Sequence, residues 1–255
     1  MVKVLVFSYD ALISKEIEES LEECLTVYCV SEESSLESLC DDDSIIVLLS
    51  EFTSKIGNFI RNKSLDVIDF TGLADKYSSK SLAVYEPSVY LLRSFFGGYL
   101  NEIKGNIYYP VSVFGKAGLD DLVEQTRSIF TMTSSESKIL DFNIPFNGKI
   151  GYGFGNSSIL RYIESHDHTI AQNFDLRLMP FSTNMVIDVF KPEYVETDLP
   201  HLDRCVDISL ELSNSDSGFV AFELDSQRVT MLGDYIKIIK KQVIDRIIEI
   251  TGVML

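Results

Sequence analysis

Positive charge is scarce in this chain. Its 255 residues hold 22 Lys and Arg against 39 Asp and Glu, a formal net charge of −17. Phosphate backbones and anionic lipid heads repel such a surface, so neither a nucleic acid nor a membrane is expected as a partner. The acids are mixed with apolar residues rather than gathered in a tail, and they read as solvated faces. Long hydrophobic runs are missing too, since none approaches the roughly 20 residues that span a bilayer. The opening Met1-Val2-Lys3-Val4-Leu5-Val6-Phe7 is too short for the apolar core of a signal peptide and lacks a cleavage site. Cysteine is sparse, and Cys24, Cys29, Cys40 and Cys205 form no Cys-x-x-Cys. A reduced, cytoplasmic protein is the expectation.

What is present points to a folded α/β chain. Hydrophobic residues make up 45% of the sequence, which excludes general disorder. A chain of this length buries about 70–75% of its unfolded surface, so it needs no staples. In the first half, short apolar runs alternate with helical patterns. Strands are predicted at Val2–Phe7, Leu25–Val30, Ser44–Ser50, Leu65–Phe70, Ser81–Tyr85 and Asn106–Val113. Helices are predicted at Ser14–Cys24, Ser54–Arg61, Tyr90–Ile103 and Leu119–Met132, the third weakened by Gly97-Gly98. That alternation predicts a parallel sheet covered on both faces. After the polar linker Thr133–Ser137 the pattern changes. Leu176–Met179, Met185–Phe190, Val206–Leu212 and Phe219–Leu224 read as longer amphipathic strands, and the strict alternation of Val206–Leu212 predicts an antiparallel strand with one apolar face. The chain closes with a helix over Asp234–Thr251, which Gly252 is placed to stop.

One segment carries a motif. Tyr109-Pro110-Val111-Ser112-Val113-Phe114-Gly115 joins a strand to a helix through a glycine turn. Four more segments stand in a telling order: Asp66–Gly72, Leu140–Pro145, Met179-Pro180-Phe181 with the strand after it, and Leu232–Lys237 leading into the last helix. Together they resemble the aspartate-semialdehyde dehydrogenase family, which carries Gln-Ala-Val-Ser-Gly-Ala-Gly at the first segment. The resemblance implies a Rossmann-like parallel sheet domain, residues 1–132 plus 233–255, with an inserted α+β dimerisation domain over 133–232. It also implies a homodimer through the inserted domain.

The departures from the family bear on function. Its first turn is Gly-x-x-Gly-x-x-Gly, which lets a pyrophosphate reach a helix N-terminus. Those positions here are Ser8, Ala11 and Ser14, and Asp10 adds negative charge in the same loop. No cofactor is therefore expected, and the turn reads as an ordinary one capped by Asp10 or Ser14. The family's catalytic cysteine falls at or beside Ser88, which also reads as a plain N-cap after Pro87. Its proton-transferring histidine falls in Ser182-Thr183-Asn184, and its substrate-positioning glutamine at Tyr109. Its substrate-binding arginines have only Arg161 and Arg177 as weak matches.

Two other patterns could in principle carry a site. His166-Asp167-His168 and His201-x-x-x-Cys205 could build a metal site if the fold joined them, but read better as surface residues, so no metal is expected. Gly151–Asn156 is a Gly-rich aromatic stretch that reads as a loop rather than a phosphate cradle. The leading expectation is a catalytically inactive relative with no catalytic residues, acting as a dimeric binding or assembly protein, with an unidentified protein as a further candidate partner. The alternatives are an enzyme of altered chemistry with Ser88 as nucleophile, and a small-ligand sensor using the interdomain cleft.

Overall fold

The computed structural model describes residues 2–134, 139, 144–146, 149–150, 163–164, 167–202 and 205–253. The fold is α/β, with a five-stranded parallel sheet and a second, mixed sheet. Two compact units result, Met1–Tyr85 with Ile239–Leu255, and Glu86–Ile238. Among the described residues no helix is long and apolar enough to cross a membrane.

The first unit holds β1 (Lys3–Phe7), β2 (Thr26–Val30), β3 (Ile45–Leu48), β4 (Asp66–Asp69) and β5 (Ser81–Ala83). They pair in the order β2-β1-β3-β4-β5, all parallel. Helices α1 (Ala11–Leu21), α2 (Glu33–Leu39) and α3 (Ser54–Lys63) connect the strands. Val4–Phe7 and Ile45–Leu48 are buried throughout, because a parallel sheet covered on both faces wants apolar side chains at every position. One face packs Leu5, Phe7, Ile46, Leu48 and Val67 with Leu36, Ile56 and Ile60 from α2 and α3. Only Leu36 of α2 is fully buried, so this helix lacks a periodic stripe and was not predicted.

At the end of β4 the buried Asp69 closes the turn. Its carboxylate accepts from Thr71 N at 2.8 Å, Thr71 Oγ1 at 2.7 Å and Ala74 N at 2.8 Å. The last helix supplies the remaining tie within the unit. In its Ile239–Thr251 part, Gln242 takes both backbone groups of Tyr85, accepting from N at 2.9 Å and donating to O at 3.0 Å. Gly252, at φ 67°, ends the helix in the left-handed conformation expected of it.

The second unit is built on six strands in the order β10-β11-β9-β6-β8-β7. They are β6 (Lys104–Tyr109), β7 (Lys149–Ile150), β8 (Phe174–Leu178), β9 (Asn184–Phe190), β10 (Phe219–Asp225) and β11 (Arg228–Asp234). Helices α4 (Pro87–Phe96), α5 (Gly115–Thr131), α6 (His168–Asn173) and α7 (Ile208–Ser213) belong to it, with the first turn of α8 (Tyr235–Thr251).

Three differences from the sequence expectation matter. First, β6 does not extend the parallel sheet. It lies between β8, parallel to it, and β9, antiparallel to it. The expected boundary after residue 132 grouped β6 and α5 with the first sheet, whereas their pairing and contacts group them with the second. Second, the alternating Val206–Leu212 is no strand. Asp207 caps a helix over Ile208–Ser213, its carboxylate accepting from Leu210 N at 3.0 Å. Local capping overrides the period-two pattern here, leaving Leu212 buried and Leu210 59% exposed. Third, α4 stops at Phe96 rather than running on to Ile103, because Gly97 takes a non-helical conformation at its C-cap.

Replacing Asp69 by Ala leaves two buried backbone donors and the Thr71 hydroxyl without their acceptor. The expected loss is about 2–4 kcal/mol of unfolding free energy, read by urea denaturation with circular dichroism.

Candidate functional site

The site expected from the motif lies within the second unit, where α4 begins. Glu86 is the N-cap, Pro87 the first helical residue and Ser88 the second. Proline suits that position, since its fixed φ fits the helix and its missing N–H would have no partner there. The sequence reading made Ser88 the cap. The structure gives that role to Glu86, whose longer carboxylate reaches back to accept from Ser88 N at 2.8 Å and Val89 N at 3.2 Å.

Ser88 and Tyr109 are far apart in sequence, yet the structure joins them. Tyr109 is the last residue of β6, and its hydroxyl lies 2.7 Å from Ser88 Oγ. Ser88 Oγ in turn donates to the Glu86 carboxylate. Glu86, Ser88 and Tyr109 are each 0% exposed. Tyr235, at the start of α8, stacks edge-on against Tyr109 with ring centroids 6.4 Å apart. Burial raises the Glu86 carboxyl from its ordinary 4.5 to about 7, against the opposing effect of its hydrogen bonds. Burial likewise drives the Tyr109 hydroxyl well above its usual value, and the neighbouring Glu86 adds to this. Glu86 was missed in the sequence reading. A Glu directly before a Pro that opens an apolar helix was the signal available.

Beyond β6 the chain turns through a short 3-10 segment, Val111–Phe114, into α5. Gly115 adopts φ 66° and ψ −156°, a conformation that a side chain would strain. At Gly118 a Cβ would fall 2.5 Å from Val111 O, so α5 can approach the turn only without one. These two requirements account for Gly115 in the motif and for Gly118 just beyond it. Ser112 is buried, its N donating to Ser182 O at 3.1 Å, while its hydroxyl has no hydrogen-bond partner among the described residues.

The stretch matching the family's histidine is tied down by its backbone. Phe181 O accepts from Val111 N, and Thr183 O accepts from Tyr235 N, each at 2.9 Å. Thr183 Oγ1 donates to Asp234 at 3.2 Å. Asn184 begins β9, its side-chain amide 3.5 Å from Ser209 Oγ. No side chain among Ser182, Thr183 and Asn184 can act as a general acid or base near neutral pH. Arg177 stands on β8 with its guanidinium over the Tyr108 ring at 5.3 Å. Successive residues of a strand point to opposite faces, so Arg177 and Tyr108 lie on the other side of the sheet from Tyr109. Arg161 is outside the described residues.

In the first unit, the turn from β1 to α1 shows how a glycine-free loop closes. Ser8 Oγ donates to Asp10 O at 2.8 Å and accepts from Asp10 N at 3.1 Å, and Ser14 Oγ donates to the same carbonyl at 3.3 Å. Asp10 caps α1, its carboxylate accepting from Leu12 N at 3.2 Å. The Asp10 carboxylate thus occupies the α1 N-terminus, the place where a helix would take an anionic ligand. The buried Ser8 and Ser14 side chains fill the space that glycines would leave open. These residues do not fit a dinucleotide. Nor do the described histidines build a metal site. Asp167 caps α6 and pairs with Arg93 at 3.1 Å, His168 meets Gln172, and His201 forms an isolated bridge with Glu223. No cluster able to hold a metal occurs among the described residues. His166 and Gly151–Asn156 lie outside them.

The raised Glu86 carboxyl makes a pH prediction. The folded state holds this proton more tightly than the unfolded chain does. Stability from this group is therefore complete below about pH 4.5, and it declines as pH rises through about 7. The expected decline is about 3 kcal/mol, read from urea midpoints between pH 5 and pH 8. Glu86→Gln should flatten that part of the profile.

No protein-family model matches the sequence, and no curated protein matches it. Solved structures do. An aspartate semialdehyde dehydrogenase II from Vibrio cholerae, complexed with ASA, is similar at a TM-score of 0.66 and 15% identity, over 98% of this chain and 99% of that one. A probable aspartate-semialdehyde dehydrogenase from Pseudomonas aeruginosa gives 0.65 and 13%, over 99% of both chains. The Francisella tularensis enzyme gives 0.61 and 12%, over 99% of this chain and 100% of that one. At these identities the likeness establishes the fold, an α/β architecture like that of the aspartate-semialdehyde dehydrogenases.

Proposed function

We propose that this chain is a catalytically inactive relative of the aspartate-semialdehyde dehydrogenases that keeps their scaffold and works as a dimeric binding or assembly protein. One observation carries the reading. The side chain at the expected nucleophile position, Ser88, has no accessible surface, and its hydroxyl is held by Glu86 and Tyr109. A nucleophile must reach its substrate, and this one contacts only its own protein. A serine–carboxylate pair would suit the alternative reading of Ser88 as an active nucleophile. That reading needs an opening beside Ser88, and zero exposure argues against it.

Three further features support inactivity. The expected cysteine is absent, the histidine position holds no proton carrier, and α1 is capped by its own Asp10. A cytoplasmic setting belongs to the same proposal, since all four cysteines are free thiols.

Isothermal titration with millimolar NADP should show no saturable binding. A dissociation constant tighter than about 0.1 mM, roughly −5.5 kcal/mol, would contradict the reading. Assayed with aspartate semialdehyde, phosphate and NADP, the purified chain should turn over below about 0.1 s⁻¹, against a typical enzyme median of about 10 s⁻¹. Faster turnover that disappears in Ser88→Ala would make Ser88 a nucleophile after all.

A further inference from the structure

The parallel sheet of the first unit ends in two edges, and the chain treats them differently. At β5 the last helix closes the outward side. Arg246 Nε donates to Ala83 O at 3.3 Å, and Gln242 takes both backbone groups of Tyr85 just beyond. The second unit closes its edge at β10 in a similar way. There Glu223 N donates to Pro200 O and Glu223 O accepts from Leu202 N, each at 2.9 Å. The edge at β2 has no such cover. Val30 O accepts from Ser8 N, so Val30 turns its backbone toward β1, and Tyr28 and Thr26 do the same. Val27 and Cys29 therefore turn their N–H and C=O groups outward, and no described residue binds them. Pairing with β1 runs without a bulge, and the strand holds neither Pro nor Lys, the usual guards of an edge. Two donors and two acceptors on a strand of about 17 Å form a template for one more strand.

The two sides of this edge differ in chemistry. Cys29 faces α1, its thiol donating to Ser14 O at 3.3 Å with the Glu18 carboxylate alongside. Glu22 follows Glu18 by four residues and so lies on the same side of the helix. Glu16 is held by Lys240 and Glu19 by Lys15, both at 3.3 Å, whereas Glu18 and Glu22 form no ion pair among the described residues. Tyr28 points to the opposite face, the one that α2 covers beside Val30, and is 39% exposed. Lys3 lies over its ring at 5.7 Å but is itself paired with Asp41. One side thus offers uncompensated carboxylates and the other an aromatic surface.

We propose that the β2 edge takes an extended basic peptide as a sixth strand of the parallel sheet. Its basic side chains lie on the side of Glu18 and Glu22, and its apolar side chains on the side of Tyr28. The inference rests on the binding part of the functional reading and gives the partner a chemistry. Main-chain hydrogen bonds supply affinity in such an addition, and the alternating side chains supply selectivity. The net charge of −17 draws a cationic segment to the protein. It also discourages a second copy of the chain at this edge, whose own β2 would bring the same carboxylates.

The test uses the full chain and a fluorescein-labelled decapeptide of alternating Lys and Val, read by fluorescence anisotropy. Binding should saturate with a dissociation constant below about 100 µM. Methylating one alternate set of peptide amides, the set turned to β2, should weaken binding at least about tenfold, while methylating the other set leaves it unchanged. Glu18→Lys combined with Glu22→Lys should also weaken it at least about tenfold, with an unchanged circular dichroism spectrum. An equal response to the two methylated peptides, as charge attraction alone gives, overturns strand addition. Binding indifferent to the double substitution overturns the placement at this edge. Absence of saturable binding overturns the inference outright, and leaves the inactive-enzyme reading to the NADP and turnover measurements.

Discussion

A carboxyl group without solvent contact begins the first helix of the second unit, and much of the site's character follows from it. Burying Glu86 is tolerable because the helix start supplies N–H groups to one of its oxygens and because burial favours the protonated acid. In that position it fixes Pro87 and Ser88, and through Ser88 it fixes the hydroxyl of Tyr109 at the end of β6. Tyr109 in turn packs on Tyr235, where the last helix begins. The result is a filled interior at the start of α4, with Glu86, Ser88 and Tyr109 all shut away from solvent. A network of this kind favours one arrangement of its elements over others, because a half-satisfied buried polar group is costly.

The first unit follows the same course by different means. Its β1–α1 turn keeps the strand–turn–helix path but closes it with Ser8, Asp10 and Ser14 in place of a bare backbone. Side chains take up the room that glycines would leave. Neither arrangement disturbs the scaffold, since strand pairing and helix packing depend on apolar pattern and not on the identity of site residues. Fold and chemistry can therefore part company, and similarity of fold at 15% identity says little about activity.

Much of the fold was legible in the residues. The continuous apolar runs Val4–Phe7 and Ile45–Leu48 announced a doubly covered parallel sheet, and the stripe of the final helix with Gly252 behind it fixed that helix to within a residue. The glycine at 115 marked the turn after β6. Resemblance alone singled out Ser88 and Tyr109, their contact was not legible, and Glu86 was not seen. Its role depends on being shut away from water, which a sequence does not display.

Local composition determined which segments are strands or helices wherever the pattern was strong, and it determined that the expected cysteine, histidine and glycines are absent. Tertiary structure decided what short-range pattern leaves open. Asn106–Tyr109 looks like a strand of either sheet, and only pairing with β8 and β9 assigned it to the second. Val206–Leu212 alternates like a strand, but Asp207 capping and the burial of Leu212 made it a helix. The single Leu36 of α2 gained meaning only when it met the sheet. In each case the deciding energy comes from partners distant in sequence or from a cap that competes with the pattern, and neither is a property of the segment alone.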